Sequence, residues 1–293
     1  MKVSCLSQQK LGWLLCTPAL VAMITVTAYP ILYACYLSLF RYDLRFPEKR
    51  SFTGIDNYIS VLTSSVWWEA LFNTIVITIL SVSMELLLGM IFALIMHRAI
   101  MGRRLVRSAV LIPYGIITVV AALIWKFAFL PSTGFMGSFT GINIAWFSQR
   151  WSAFAVIIST EIWKTTPFMA LLLLAGLTLV PENLLRAARV DGAGAWQRFT
   201  LIIRPIMKPT IVVALLFRTL DAFRIFDTVF VQTRGAQSTE SVSIVGYHAL
   251  ISQLNLGLGS AVSILIFICV LLIAAGYLRG FGIAGALTGQ EEQ

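Results

Sequence analysis

The sequence predicts an all-α polytopic membrane protein with six transmembrane helices and one long cytoplasmic loop. Three observations carry this. Of the 293 residues, 58% are hydrophobic and only 12% charged, against roughly 25% charged in a typical soluble protein. The mean hydropathy is +0.86. Apolar runs of about 20 residues, enough to span a bilayer, recur along the chain. A soluble globular domain, a disordered chain and a disulfide scaffold are excluded on the same grounds.

Residues 11–40 carry no charge. The run is twice the roughly 7–15 residues of a signal-peptide core, so it reads as a retained first span, with candidate kinks at Pro18 and Pro30. An outer loop, 41–69, follows. Its Asp56-Asn57-Tyr58 precedes an apolar stretch that fits a short interfacial helix, and Trp67 and Trp68 stand where an aromatic belt is expected. The second span, 70–96, contains Glu85 as its only charge. The third, 105–130, has Arg107 and Lys126 near its ends. The fourth, 152–180, holds Glu161, Lys164 and Pro167. The fifth, 209–231, carries Arg218, Asp221, Arg224 and Asp227, and the sixth, 259–278, is uncharged. The expected layout is 1–69 for the N-terminus, first span and outer loop, 70–280 for a five-helix core containing the loop 181–208, and 281–293 for a cytoplasmic tail.

Orientation follows from the distribution of Lys and Arg. With both termini cytoplasmic, the inside receives Lys2, Lys10, Arg98, Arg103, Arg104, Arg107, Arg186, Arg189, Arg198, Arg204, Lys208 and Arg279. The outside receives only Arg41, Arg45, Lys49, Arg50, Arg150 and Arg234. This bias accounts for most of the net charge of +9 without a nucleic-acid partner. Cys5, Cys16, Cys35 and Cys269 form no CxxC, and His97 and His248 lack metal-ligand spacing, so neither a disulfide nor a metal site is expected.

The loop 181–208 reads as two short helices around a glycine-rich turn. Pro181 and Glu182 suit a helix start, and Asp191-Gly192-Ala193-Gly194 a stop. Leu184, Leu185 and Ala188 share a face, and Trp196, Phe199 and Ile203 recur at helical spacing. Physics leaves two readings open. One is an amphipathic connector at the membrane surface. The other is a plug for a groove on another protein.

Arg186-Ala187-Ala188, then Asp191-Gly192, Ile202 and Pro205, resembles the coupling motif of ABC-importer permeases. In that motif Glu-Ala-Ala precedes a Gly by three residues, and Ile-x-Leu-Pro follows nine further on. Arg186 stands for the Glu and Arg204 for the Leu. The resemblance extends over nearly the whole chain and is closest to the sugar-importer branch typified by the maltose permeases. It is carried by Ala109-Val110-Leu111-Ile112-Pro113-Tyr114-Gly115, by Glu161 to Phe168 and by Phe217 to Asp227. Within that branch it is similar to the trehalose-importing members. The resemblance implies a permease subunit that moves a sugar, the disaccharide trehalose, across the cytoplasmic membrane. Arg186, Ala187, Ala188, Asp191, Gly192, Trp196, Ile202 and Pro205 would form coupling helices that dock on a cytoplasmic ATPase dimer. ATP and Mg would sit on that partner, and this chain would need no cofactor and catalyse no reaction itself. A homologous second permease and an extracellular sugar-binding lipoprotein would complete the assembly.

Charges within spans are costly and usually face a cavity or a partner. In the fifth span, Arg218, Asp221, Arg224 and Asp227 alternate in sign at intervals of three. Two readings stay open for them: a self-neutralising ion-pair ladder, or the lining of a sugar pathway. The second would use Asp221, Phe223, Arg224, Phe226 and Asp227, together with Glu161. Glu161 and Lys164 are spaced for a local salt bridge, Glu85 needs a partner on another helix, and Lys126 is placed to snorkel. A secondary active transporter using these charges is the main alternative, but no paired broken helices mark inverted repeats. Nor is there the like-charge ring of a channel or a phosphate-binding glycine loop.

Overall fold

A computed structural model describes residues 8–98, 103–131, 133–141 and 144–280. The expected tail 281–293, with Lys2 and Cys5, lies outside them. The chain divides into two compact units, Met1–Ser64 with Gly246–Phe267, and Ser65–Val245 with Ile268–Gln293.

In the first unit, α1 (Gln8–Ser38) runs unbroken through Pro18 and Pro30. Most of its apolar side chains are exposed. A small hairpin follows, β1 (Phe40–Arg41) paired antiparallel with β2 (Ser51–Phe52). The Arg50 guanidinium lies over the rings of Tyr36, Phe40 and Tyr42 at 4.6–5.3 Å. The short helix expected in this loop is α2 (Asp56–Leu62). Its Asn57 side chain donates to the Ser38 and Phe40 carbonyls at 2.7 and 2.9 Å, satisfying groups that α1 leaves open where it ends. Backbone bonds explain why the later segment joins this unit. Leu44 N–H donates to the Leu254 carbonyl at 2.9 Å, and Asp43 bridges to Asn255. The side-chain and backbone N–H groups of Arg45 hold the Asp43 carboxyl below the usual carboxylate range, at about 2.

The second unit is a helix bundle. In order it contains α3 (Ser65–Arg98), α4 (Arg103–Gly115), α5 (Thr118–Ala128), α6 (Phe135–Thr140), α7 (Arg150–Leu177), α8 (Glu182–Val190), α9 (Ala195–Arg198), α10 (Arg204–Phe223) and α11 (Asp227–Gln232). Two last helices, α12 (Val242–Tyr247) and α13 (Leu256–Gly280), contribute to both units. Among the described residues, five helices are long and apolar enough to cross a membrane, or six if a bent pair is one span.

That pair is the expected third span. It is not straight: α4 and α5 meet at 92°. Pro113 and Gly115 close α4, the Ile116 N–H folds back to the Pro113 carbonyl, and Ile117 is extended. Glycine is a poor helix former, and α4 ends at Gly115. The main packing is α3 against α7. A Cβ on Gly89 would sit 2.8 Å from the Met169 side chain, so α3 needs a glycine to come this close. Trp67 is packed inside at 3% exposure, away from any belt, while Trp68 is exposed.

Two apolar clusters fill the bundle. Met96, Met169, Leu173 and Met207 belong to one, and Ile77, Phe154, Ile157 and Val229 to the other. Along α7 the second cluster ends at Ile158, the first begins at Met169, and Glu161 falls in the stretch between.

Candidate functional site

Two regions hold the residues singled out by sequence. The first is the hairpin of α8 and α9. Glu182 opens α8, where a carboxylate suits the helix dipole. It also pairs with Arg186 at 2.7 Å, with both side chains about 70% exposed. The stop is a Schellman motif. Gly192 N–H donates to the Arg189 carbonyl and Ala193 N–H to the Ala188 carbonyl at 2.8 Å. Gly192 has φ +82°, the left-handed conformation this motif demands. Asp191 is the cap residue, with its N–H on the Ala187 carbonyl. The second limb begins with Gln197 Oε1 accepting the Gly194 N–H at 2.7 Å. Arg198 Nη1 donates to the Ala193 carbonyl across the turn.

The second limb is not a separate loop helix. A π-helical turn, Phe199–Ile203, joins α9 to α10, and the Arg204 N–H reaches five residues back to the Phe199 carbonyl. Pro205, which has no N–H to offer, follows directly. The hairpin's apolar residues divide by direction. Leu185, Phe199, Ile202 and Ile203 pack on the bundle core. Val190, Trp196 and Leu201 point away, exposed by 88%, 74% and 74%. Trp196 stacks on Phe199 at 5.7 Å between ring centres.

The second region is a buried polar layer. Arg218 of α10 is 1% exposed. It grips Glu85 of α3 with two hydrogen bonds, Nε to Oε2 at 2.5 Å and Nη2 to Oε1 at 3.0 Å. It reaches Glu161 of α7 at 3.1 Å and Asp221 at 2.7 Å. Thr228 of α11 donates to the other oxygen of Glu161, and Gln232 donates to Thr160 at 2.8 Å. One guanidinium thus ties three helices together with its rigid fork of donors.

Several expectations change here. The fifth span is broken: α10 ends at Phe223, and α11 restarts at Asp227 with its carboxylate in the first turn. Of the four alternating charges only Arg218 and Asp221 pair. Among the described residues Arg224 and Asp227 form no ion pair; Arg224 Nε donates to the Leu220 carbonyl at 3.3 Å. Glu161 does not pair with Lys164, because Arg218 and Thr228 claim both its oxygens. It is buried at 7% exposure, within the polar layer. Lys164 lies over the Tyr114 ring at 5.5 Å. Lys126 does not snorkel; its ammonium donates to the Val231 carbonyl at 2.8 Å. Phe223 is 3% exposed, and Phe226 stacks on Phe230 at 5.2 Å. The side chain of Asp221 is 67% exposed and stays accessible.

Reasoning from sequence missed Thr228 and Gln232, whose hydroxyl and amide look ordinary. It did require a partner for Glu85, and that partner lies 133 residues away.

Residues 64–281 match the model of the family described as binding-protein-dependent transport system inner membrane component. The chain belongs to this family. The matched range takes in both the hairpin and the polar layer of this inner membrane component. It is 52% identical over 95% of its length to the trehalose transport system permease protein SugA of Mycobacterium tuberculosis, of which 91% is covered. It is 38% identical, over 93% of its length and 94% of the relative, to a trehalose/maltose transport system permease protein MalF of Thermococcus litoralis. The fold matches a chain in the crystal structure of a bacterial ABC transporter that imports alginate, with a TM-score of 0.79. The sequence identity is 22%, and 92% of this chain and 94% of the other are covered.

Proposed function

We propose that this inner membrane component is the permease subunit of an ATP-driven importer, and that its cargo is a sugar, the disaccharide trehalose. The observation that carries the cargo is the 52% identity with a trehalose permease over almost the full length of both chains. Both termini lie in the cytoplasm, as the Lys and Arg bias directs. A homologous second permease completes the pathway, and an extracellular sugar-binding lipoprotein delivers the sugar.

The α8–α9 hairpin docks on a cytoplasmic ATPase dimer, which holds ATP and Mg. What supports this is the exposure of Val190 at the end of α8 and of Trp196 and Leu201 on the limb that continues into α10. Movement of the docked hairpin is then movement of the span carrying Arg218. Asp221, Arg224, Phe226 and Asp227, around the break between α10 and α11, are the pathway residues, with Asp221 the best placed because its side chain is exposed on the bundle.

The test is reconstitution of the complex in vesicles with its binding protein. ATP-dependent uptake of labelled trehalose, suppressed by unlabelled trehalose but not by an equal amount of an amino acid, is the expected result. A complex whose ATPase activity ignores trehalose but responds to another solute would overturn the cargo. Uptake without any ATPase chain would overturn the coupling.

A further inference from the structure

Part of α3 carries apolar side chains that nothing in the bundle covers. Leu87 and Ile91 are 60% and 51% exposed, and Met90 and Leu94 lie beside them. With Leu185 and Phe199 of the hairpin region they line a groove of about 1210 Å³. That exceeds the roughly 300–1,000 Å³ of pockets that enclose a drug-sized ligand.

The lining is divided by chemistry. The spanning helices supply the apolar wall, while the hairpin and the start of α10 supply Arg186, Arg189, Arg198 and Arg204. One carboxylate lines the groove among the described residues, that of Glu182, and Arg186 already holds it at 2.7 Å. Arg189 and Arg204 form no ion pair among the described residues.

An apolar wall continuous with unpaired guanidinium groups matches an amphiphile with a negative head. A free phosphate gains nothing from the wall, and a zwitterionic lipid gains less from the arginines. Basic pockets between spanning helices select such headgroups. We propose that this groove binds an anionic phospholipid, with an acyl chain along α3 and the phosphate headgroup at Arg189 and Arg204.

The test uses the intact complex in nanodiscs of phosphatidylcholine doped with phosphatidylglycerol. Native mass spectrometry reads the lipids retained on release, and a photo-crosslinking amino acid at Ile91 reports what fills the groove. Retention of phosphatidylglycerol in preference to phosphatidylcholine is expected, falling about fivefold for each arginine removed in Arg189→Gln and Arg204→Gln. The crosslink is expected on a phospholipid. Equal retention of the two lipids, unchanged retention in both variants of the assembled complex, or a crosslink to a protein chain would each overturn the proposal.

Discussion

Two of the Arg–Glu ion pairs in the chain stand in opposite surroundings. Arg186 meets Glu182 at 2.7 Å with both side chains about 70% exposed, and Arg218 meets Glu85 at 2.5 Å with both sealed from solvent. Near-equal distances conceal unequal energetics. Water screens the first pair, and its two side chains lose freedom to hold one geometry. The second has no water to fall back on, so each group depends on the other. The exposed pair can therefore be removed with little effect on the fold, whereas the polar layer cannot lose one member alone.

The largest effect expected is from Arg218→Met. It strands Glu85 and Glu161 in the interior and should cost about 3–5 kcal/mol, read as a lower unfolding midpoint of the purified complex. Arg218→Gln combined with Glu85→Gln should recover part of that loss, and strictly additive losses would mean the two do not form a unit. Next is Trp196→Glu. Trp196 is an exposed aromatic anchor, so the change should weaken ATPase docking by about 2 kcal/mol or more. Stability of the chain should shift by no more than about 0.5 kcal/mol. A matching fall in unfolding midpoint would erase the contrast between the regions. Gly192→Ala places a Cβ on a left-handed residue and should cost about 1–2 kcal/mol, measurable as fraying of α8 by hydrogen exchange. Asp221→Ala should lower trehalose uptake more than it lowers co-purification with the second permease; equal losses would assign Asp221 to Arg218 alone. Smallest is Glu182→Ala, expected within about 0.5 kcal/mol of the parent in any stability measurement.

Much of this was open to a reader of the sequence because it depends on local pattern. The helix stop at Asp191-Gly192 is written in adjacent residues, and the Schellman bonds follow from them. The same holds for α2, which Asp56-Asn57-Tyr58 announces. The contacts of Glu161 were not open in the same way. Lys164 sits one turn along the same helix, and local spacing favours it, yet tertiary packing delivers Arg218 and Thr228 from other segments. The bend between α4 and α5 and the break at Arg224 were hidden for a related reason. Hydropathy runs smoothly across both, since a membrane-spanning segment stays apolar whether or not its backbone is continuous. Pro113 with Gly115 was the one local warning of the bend, and Asp227 that of a fresh helix start.

The π-helical turn at Phe199–Ile203 adds an angular setting to the hairpin. A helix advances about 100° per residue, so one residue inserted into a turn re-aims everything beyond it by that angle. Here the inserted residue lets Trp196 face outward while Ile203 stays in the core. Rewinding Phe199–Ile203 as an ordinary α-helical turn with every residue kept would rotate the tip by about a quarter of a revolution. The aim of the hairpin is thus set by how this one turn is wound, with the helices of the bundle left in register.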